Sequence, residues 1–288
     1  MSRVINREVQ SRIEAALRRP VRAWQPLAGG MISQVLRVDL AGGESVVAKV
    51  GDGGHDLTIE AFMLRYLRER SGLPLPAVLH EEPNLLLMEF VDGRIEWEGD
   101  VLRHLGELMA HCHQVTSPFY GLERDTLIGP LRQPNPQMTS WVAFFREQRL
   151  QYMIGIARES GFLPAELERR LRRIASKLDH YLIEPAKPAL IHGDMWKTNV
   201  ISRAGRVVGI IDPALYFAHN EMELAYMTLF GGTGEAFFTA YAERIPIDED
   251  FYATRRHIYN LYPLLIHLTL FGDKYLPPLH EALERFGF

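Results

Sequence analysis

Cysteine is almost absent from this 288-residue chain: Cys112 is the only one. That excludes an internal disulfide framework and a zinc site built from several thiolates. Charge of one sign is lacking too. There are 32 Lys and Arg residues against 36 Asp and Glu, a formal net charge of −4. Nucleic acids and anionic membranes both call for concentrated positive charge, so neither is expected as a partner. Long apolar runs are missing as well. The stretch "LYPLLIHLTLF", residues 261–271, reaches only about half a membrane span and carries a histidine. The basic N-terminus "MSRVINREVQSRIEAALRRP" is broken by charges and has no apolar centre, so it reads as an amphipathic helix rather than a signal peptide. No internal repeat or low-complexity tract is visible. These absences leave a soluble, cytoplasmic globular protein as the expectation, and 47% hydrophobic content can fill the cores of two lobes.

What is present changes character along the chain. "MISQVLRVDL" and "ESVVAKV" are β-branched runs joined around "AGGE", which signals a hairpin. Before them, "LAGGMIS" places Gly29 and Gly30 where a backbone without side chains can approach a ligand closely. Residues 57–70 set Ile59, Phe62, Met63, Tyr66 and Leu67 at helical spacing. "NLLLMEFV" is a short apolar strand ended by Asp92–Gly93. The first 90 or so residues thus read as a small antiparallel sheet with one long helix laid on it. Beyond them the helical period dominates, in "VLRHLGELMAHCHQV", "SWVAFFREQRLQYMIGIARES" and "LPAELERRLRRIASKLDHYLI". The proline-rich "LIGPLRQPNPQM" between the first two is expected to be a loop. Short strands around His192 and Asp212 interrupt the helices. The expected fold class is α+β, with lobes at residues 1–92 and 93–288.

The chemistry lies in "LIHGDMWKTNVISRAGRVVGIIDPALYFAH", residues 190–219. Carboxylates beside apolar strands are costly to desolvate unless a cation or a proton donor needs them. Asp194 and Asn199 form D-x-x-x-x-N, His192 precedes them, and Asp212 ends the next strand. An aspartate beside a substrate hydroxyl can accept its proton while the bond to phosphorus forms. An asparagine oxygen and a second aspartate are hard donors suited to magnesium, which takes its remaining ligands from phosphates and water. Lys49 supplies the missing cation. In "VVAKV" it shares a strand face with Val47, while Val46, Ala48 and Val50 share the other. A lysine so placed needs a partner, and Glu60 on the following helix is the candidate. A phosphate-gripping lysine held by a helix glutamate is the kinase arrangement. "LLLMEFVDG" then reads as the hinge, with Met88 as gatekeeper and the backbone of Glu89 and Val91 facing an adenine. Each element alone is weak, since strand lysines are usually solvated and D-x-x-x-x-N arises by chance. Their order in the chain is what points to an ATP- and magnesium-dependent phosphotransferase.

On "ALIHGDMWKTNV", "IIDPALYFAHNEMELAYMTLFGG", "TSWVAFFREQRL" and "YNLYPLLIHLTLFGDKY", the chain resembles the fructosamine kinase (ketosamine 3-kinase) family, a branch of the aminoglycoside phosphotransferase-like kinases. The resemblance runs from about Leu27 to Tyr275. It implies a protein-kinase-like two-lobed fold and ATP-dependent phosphorylation of the sugar 3-hydroxyl of small or protein-linked ketosamines. The unstable 3-phosphate then sheds the amine, which reverses glycation. It further implies Asp194 as catalytic base, Asn199 and Asp212 as metal ligands, Lys49 and Glu60 as the phosphate-gripping pair, Trp196 as a wall of the sugar pocket, and His267, in the late substrate-side helix, as a further substrate-side residue. The chain departs from the family at Lys197 and Thr198, where a Ser–Gly pair is usual, and at Met31, where many members carry a cysteine. Asn220, Ile266 and Thr269 replace an arginine and two asparagines on what is expected to be the acceptor side.

The residues admit other readings. The acceptor could be an aminoglycoside, choline or another sugar, with Glu221 and Glu223 as acids of the cleft, although both match the family's structural segment better. A non-catalytic nucleotide-binding pseudokinase is the third reading, against which Lys49, Glu60, Asp194, Asn199 and Asp212 together argue. His104, His111, Cys112 and His113 have no metal-site spacing. The aromatic run after Ser140 reads as core, and His219 as a brace for the loop after Asp212. With Met31 in place of the turn cysteine, no disulfide-linked dimer is expected.

Overall fold

The computed structural model describes residues 7–27 and 33–288, so the expected glycine turn at Gly29–Gly30, and Met31, lie outside the described residues. The N-terminal lobe is a five-stranded antiparallel sheet in the order β1-β2-β3-β5-β4. Its strands are β1 (Val21–Pro26), β2 (Ser33–Leu40), β3 (Ser45–Gly51), β4 (Val78–Glu82) and β5 (Leu85–Glu89). The "AGGE" turn joins β2 to β3, and Gly42 and Gly43 there both take positive φ, as a tight hairpin requires. Strand β4, "VLHEE", carries too many acids for its pattern to announce it. It forms because it pairs along the buried β5.

Alternation along β3 gives each sheet face its own helix. Val46 and Ala48 point to α1 (Arg7–Leu17), whose Ile13 fills a core with Leu36, Val38 and Leu87. Val47 and Lys49 point to α2 (Leu57–Arg70), which packs Ala61, Met63, Leu64 and Leu67 against Leu86 and Met88. The sheet is therefore covered on both faces rather than on one. Helix α2 begins where Asp56 accepts a hydrogen bond from Thr58 N, an N-cap worth about 1 kcal/mol.

The larger lobe starts with α3 (Gly99–Cys112) and a hairpin of β6 (Thr126–Ile128) and β7 (Leu131–Gln133). A helical rod over residues 141–159 follows as α4 (Trp141–Phe144), a π-helical segment (Phe145–Gln151) and α5 (Tyr152–Glu159). After α6 (Ala165–Ala175), β8 (Ala189–Ile191) pairs with β11 (Tyr216–Ala218), and β9 (Val200–Arg203) with β10 (Arg206–Ile210). The chain ends in α7 (Asn220–Leu229), α8 (Glu235–Ala242), α9 (Arg256–Tyr259), α10 (Leu261–Phe271) and α11 (Leu276–Glu284). No described helix is long and apolar enough to cross a membrane.

The segment expected to be a loop is the β6–β7 hairpin, and inward-drawn polar groups explain it. Buried Gln133 donates to Thr126 Oγ1 (2.8 Å) and to the Ala214 carbonyl (2.9 Å), and accepts from Tyr262 OH (2.9 Å). Buried Asn135 accepts from Arg149, whose guanidinium lies 3.8 Å from the centre of the Tyr216 ring. Proline forbids a helix here, but it does not forbid a short hairpin edge. The aromatic run is core: Trp141, Phe144 and Phe145 are fully buried.

Cys112 is fully buried in α3, with its thiol against the Leu190 carbonyl, and burial pushes its pKa well up. A buried neutral thiol reacts slowly. Activity should therefore be indifferent to diamide and to dithiothreitol, and non-reducing gels should show only monomer. A covalent dimer, or inhibition that reductant reverses, would show that Cys112 is reachable.

Candidate active site

Two strands and the loop after each place the polar groups. The chain leaves β8 through His192, Gly193 and Asp194, and leaves β10 through Ile211 and Asp212. Gly193 has φ +87°, and a Cβ there would sit 2.1 Å from the Ala214 carbonyl, so no side chain fits. The Ala214 N–H donates to the His192 carbonyl (2.8 Å), and Ile211 N–H to the Asn199 carbonyl (3.0 Å), which ties the two loops together. His192 is buried and neutral. Its Nδ1 accepts from Asp194 N–H (3.3 Å), so the proton must lie on Nε2, which donates to the Ile211 carbonyl (3.1 Å).

Glu223 supports this loop from α7. Its carboxylate accepts from His192 N–H (3.0 Å), Gly193 N–H (2.7 Å) and His113 Nε2 (2.9 Å). Burial favours the protonated acid, but these donors outweigh it and hold the pKa below the usual range. Asn220 donates to Tyr241 OH, which bonds His113 Nδ1 (2.7 Å), so a chain of hydrogen bonds ends on Glu223. Removing the carboxylate would strand two buried backbone N–H groups, at about 1–3 kcal/mol each. Glu223 is thus a support behind the loop, not an acid of an acceptor cleft. Glu221 is likewise bound, by Arg255 on the π-helical segment Phe251–Arg255.

Asp194 and Asn199 meet directly. Asn199 Nδ2 donates to the Asp194 carbonyl (2.8 Å) and to its Oδ2 (3.1 Å), while Tyr226 OH donates to Oδ1 (2.7 Å). Burial raises the Asp194 pKa to about 6, with repulsion from Asp212 adding to it and the two donors opposing it. Such a carboxylate is ionised at neutral pH yet basic enough to take a proton. Lys49 Nζ joins the lobes, 2.6 Å from Glu60 Oε1 and 2.5 Å from Asp212 Oδ1. Burial alone would lower the lysine's pKa, but the two carboxylates reverse that and raise it. Asp212 takes φ +56°, a left-handed conformation that costs a non-glycine residue about 1–2 kcal/mol. Among the described residues, Asn199 Oδ1 and Asp212 Oδ2 make no hydrogen bond. Both are hard oxygens, the aspartate's beside Lys49, and by donor type they fit magnesium.

Trp196 and His267, distant in sequence, are linked through a ring that the sequence reading missed. Phe230 lies 5.9 Å from Trp196 and 4.6 Å from His267, centre to centre, and Tyr226 packs edge-on to Phe230. His267 Nδ1 donates to the Pro263 carbonyl (2.7 Å), which leaves Nε2 as an acceptor. Lys197 and Thr198 are exposed on a short 3-10 turn. Asn220 and Thr269 are engaged elsewhere, with Tyr241 and with the Leu265 carbonyl, and Ile266 is buried. His219 bonds Tyr259 OH (2.8 Å) and packs on Trp141, a bracing role. In the segment expected to be the hinge, Met88 is buried opposite Val47 of β3. Glu89 N–H is committed to the Ala77 carbonyl (2.9 Å). The cavity of about 370 Å³ that Glu89 and Val91 border is lined also by Arg68, Pro74 and Arg203 and by none of Lys49, Glu60, Asp194 and Asp212.

A small sheet carrying the lysine, a helical lobe carrying both aspartates and an ion pair between the two lobes define a phosphotransferase of the protein-kinase-like fold, acting on a hydroxyl. The family model for fructosamine kinase matches residues 3–286, and the chain belongs to that family. It is 34% identical over 204 residues to a protein from Enterococcus faecium named as a ketoamine kinase, covering 70% of this chain and 71% of that one. It is 32% identical over 230 residues to a chloroplastic protein-ribulosamine 3-kinase of Arabidopsis thaliana, covering 77% and 68%. The solved structure of a Thermobifida fusca protein described as a fructosamine-3-kinase superposes with a TM-score of 0.86 at 30% identity, over 96% of this chain and 97% of that one.

Three contributors escaped the sequence reading: Glu223 as loop support, Tyr226 on Asp194, and Phe230 between Trp196 and His267. Their only signal was the spacing of Glu223, Tyr226 and Phe230 along one side of α7 and its end, a pattern equally typical of packing.

Proposed function

We propose that the chain transfers the γ-phosphoryl group of ATP to the 3-hydroxyl of a ketosamine sugar. The new bond joins the sugar oxygen to the γ-phosphorus, the bond from that phosphorus to the bridging oxygen breaks, and ADP departs. Asp194 takes the hydroxyl proton. Lys49, held by Glu60, grips the phosphates, and the backbone of Glu89 and Val91 receives the adenine beside Met88. Asn199 and Asp212 would hold magnesium, which when bound neutralises phosphate charge. Trp196, Phe230 and His267 line the sugar's side of Asp194.

The observation that carries this reading is the position of Asp194: one oxygen bonds Asn199, and the other bonds Tyr226, which packs on the Trp196–Phe230–His267 cluster. The base thus lies between the proposed metal donors and an aromatic wall. Sugar rings present C–H faces that pack on such walls, and polycationic aminoglycosides instead call for acids. Here the candidate acids Glu221 and Glu223 are buried and bonded. Family membership and the ribulosamine kinase relative support the same acceptor.

The test is ADP release with Nα-protected lysine adducts of ribulose, erythrulose and fructose, alongside kanamycin, choline and free ribose. Turnover is expected on the ketosamines alone, ribulosamine and erythrulosamine ahead of fructosamine, with phosphorus NMR placing the phosphate on C3. Turnover confined to kanamycin or choline would overturn the acceptor, and no turnover with tight nucleotide binding would overturn the enzyme.

A further inference from the structure

Tyr226 has no chemical step in the reading above, yet its hydroxyl lies 2.7 Å from Asp194 Oδ1. The phenol is 5% exposed, and burial with the adjacent carboxylate raises its pKa well above the ordinary value, so it keeps its proton and can only donate here. Its ring is fixed on α7, edge-on to Phe230 at 6.1 Å and tilted against His267 at 6.4 Å. The other carboxylate oxygen is held by Asn199 at 3.1 Å. A carboxylate with one donor can still turn about its last two torsions. With a donor on each oxygen, from two different elements, its plane is set.

We infer that Tyr226 is a positioning residue, which fixes the Asp194 carboxylate so that Oδ1 keeps one lone pair for the acceptor hydroxyl. An oxygen of an ionised carboxylate accepts two hydrogen bonds, so the phenol and a substrate hydroxyl can share Oδ1. The phenol also closes the polar base off from the aromatic wall beside it. This inference rests on the reading of Asp194 as the base. It makes a separable claim: the hydroxyl of Tyr226 acts on turnover only through Asp194.

The experiment is a double-mutant cycle of Tyr226→Phe and Asp194→Asn on Nα-protected ribuloselysine. Y226F should lower kcat about ten- to a hundredfold, the range for losing a hydrogen bond to a charged group that sets reactive geometry. KM for the acceptor and Kd for ATP with magnesium should stay within about twofold, since ring and wall remain. In the D194N background, Y226F should change kcat by less than about threefold, because no base is left to position. Y226M also lacks the hydroxyl while keeping apolar bulk, and should show the same kcat loss. It guards against a folding defect peculiar to one variant.

Several results would sink the inference. If Y226F keeps wild-type kcat while D194N loses it, Tyr226 is packing only, and the base stands. A rise in kcat on Y226F would mean that the phenol merely weakens the base. Equal losses from Y226F with and without Asp194 would mean that it acts on another step. If D194N itself keeps kcat, the reading beneath the inference fails instead.

Discussion

Asp194→Asn is expected to turn over an accepted ketosamine about 10²–10⁴-fold more slowly, the usual contribution of a general base. The amide matches the carboxylate in shape, so the loop between β8 and β9 should hold. Gly193, Glu223 and His192 fix its backbone independently of the Asp194 side chain. Nucleotide affinity should be unchanged, because Lys49, Glu60, Asn199 and Asp212 are all retained. Steady-state kcat with calorimetric Kd for ATP and magnesium measures both halves of the expectation. A kcat within threefold of wild type would remove Asp194 from the chemistry. A parallel loss of nucleotide affinity would mean that the substitution disturbs the metal donors through its contact with Asn199.

Asp212→Asn should act on the other side of the reaction. Asparagine tolerates the left-handed backbone at φ +56° nearly as well as aspartate, so the turn after β10 should survive. The charge is lost, so the proposed anionic metal donor becomes a weaker neutral one, and Lys49 keeps only the Glu60 carboxylate. Metal-assisted charge neutralisation is worth several kcal/mol, so turnover should fall by about 10²-fold or more. Binding should separate by condition. With magnesium, ATP affinity should drop toward the metal-free value, while affinity in EDTA should change little or rise, since the anion no longer meets a carboxylate beside Lys49. Calorimetry in both conditions decides it. Equal losses with and without magnesium would place Asp212 in the grip on the phosphates rather than on the metal.

Much of this was legible from local pattern. The β2–β3 hairpin, helix α2 at residues 57–70 and the apolar β5 follow from period, turn chemistry and capping, all set within a few residues. The pairing of Lys49 with Glu60, eleven residues apart, was also within reach, since a lysine on an otherwise apolar strand face demands an anion from the next element. Strand β4 was missed because its acids hide a strand that exists by pairing with β5. The β6–β7 hairpin was missed because its prolines speak first, while its stability comes from Gln133 and Asn135 reaching inward.

The sequence by itself determined which chemical groups are present and in what order: lysine, helix glutamate, apolar hinge, H-x-D-x-x-x-x-N, and a strand ending in aspartate. It also determined the two-lobed α+β architecture, because hydrophobic period is a property of neighbouring residues. Only the tertiary structure decided what each group touches. Tyr226 meets Asp194 across 32 residues, His113 meets Glu223 across 110, and Lys49 meets Asp212 across 163. The physical reason is that burial makes polar partners obligatory without saying which partner. A buried glutamate, histidine or tyrosine must find a hydrogen bond. Where it finds one depends on how α7 lies against the loops that leave β8 and β10, and that is fixed by packing of the whole lobe.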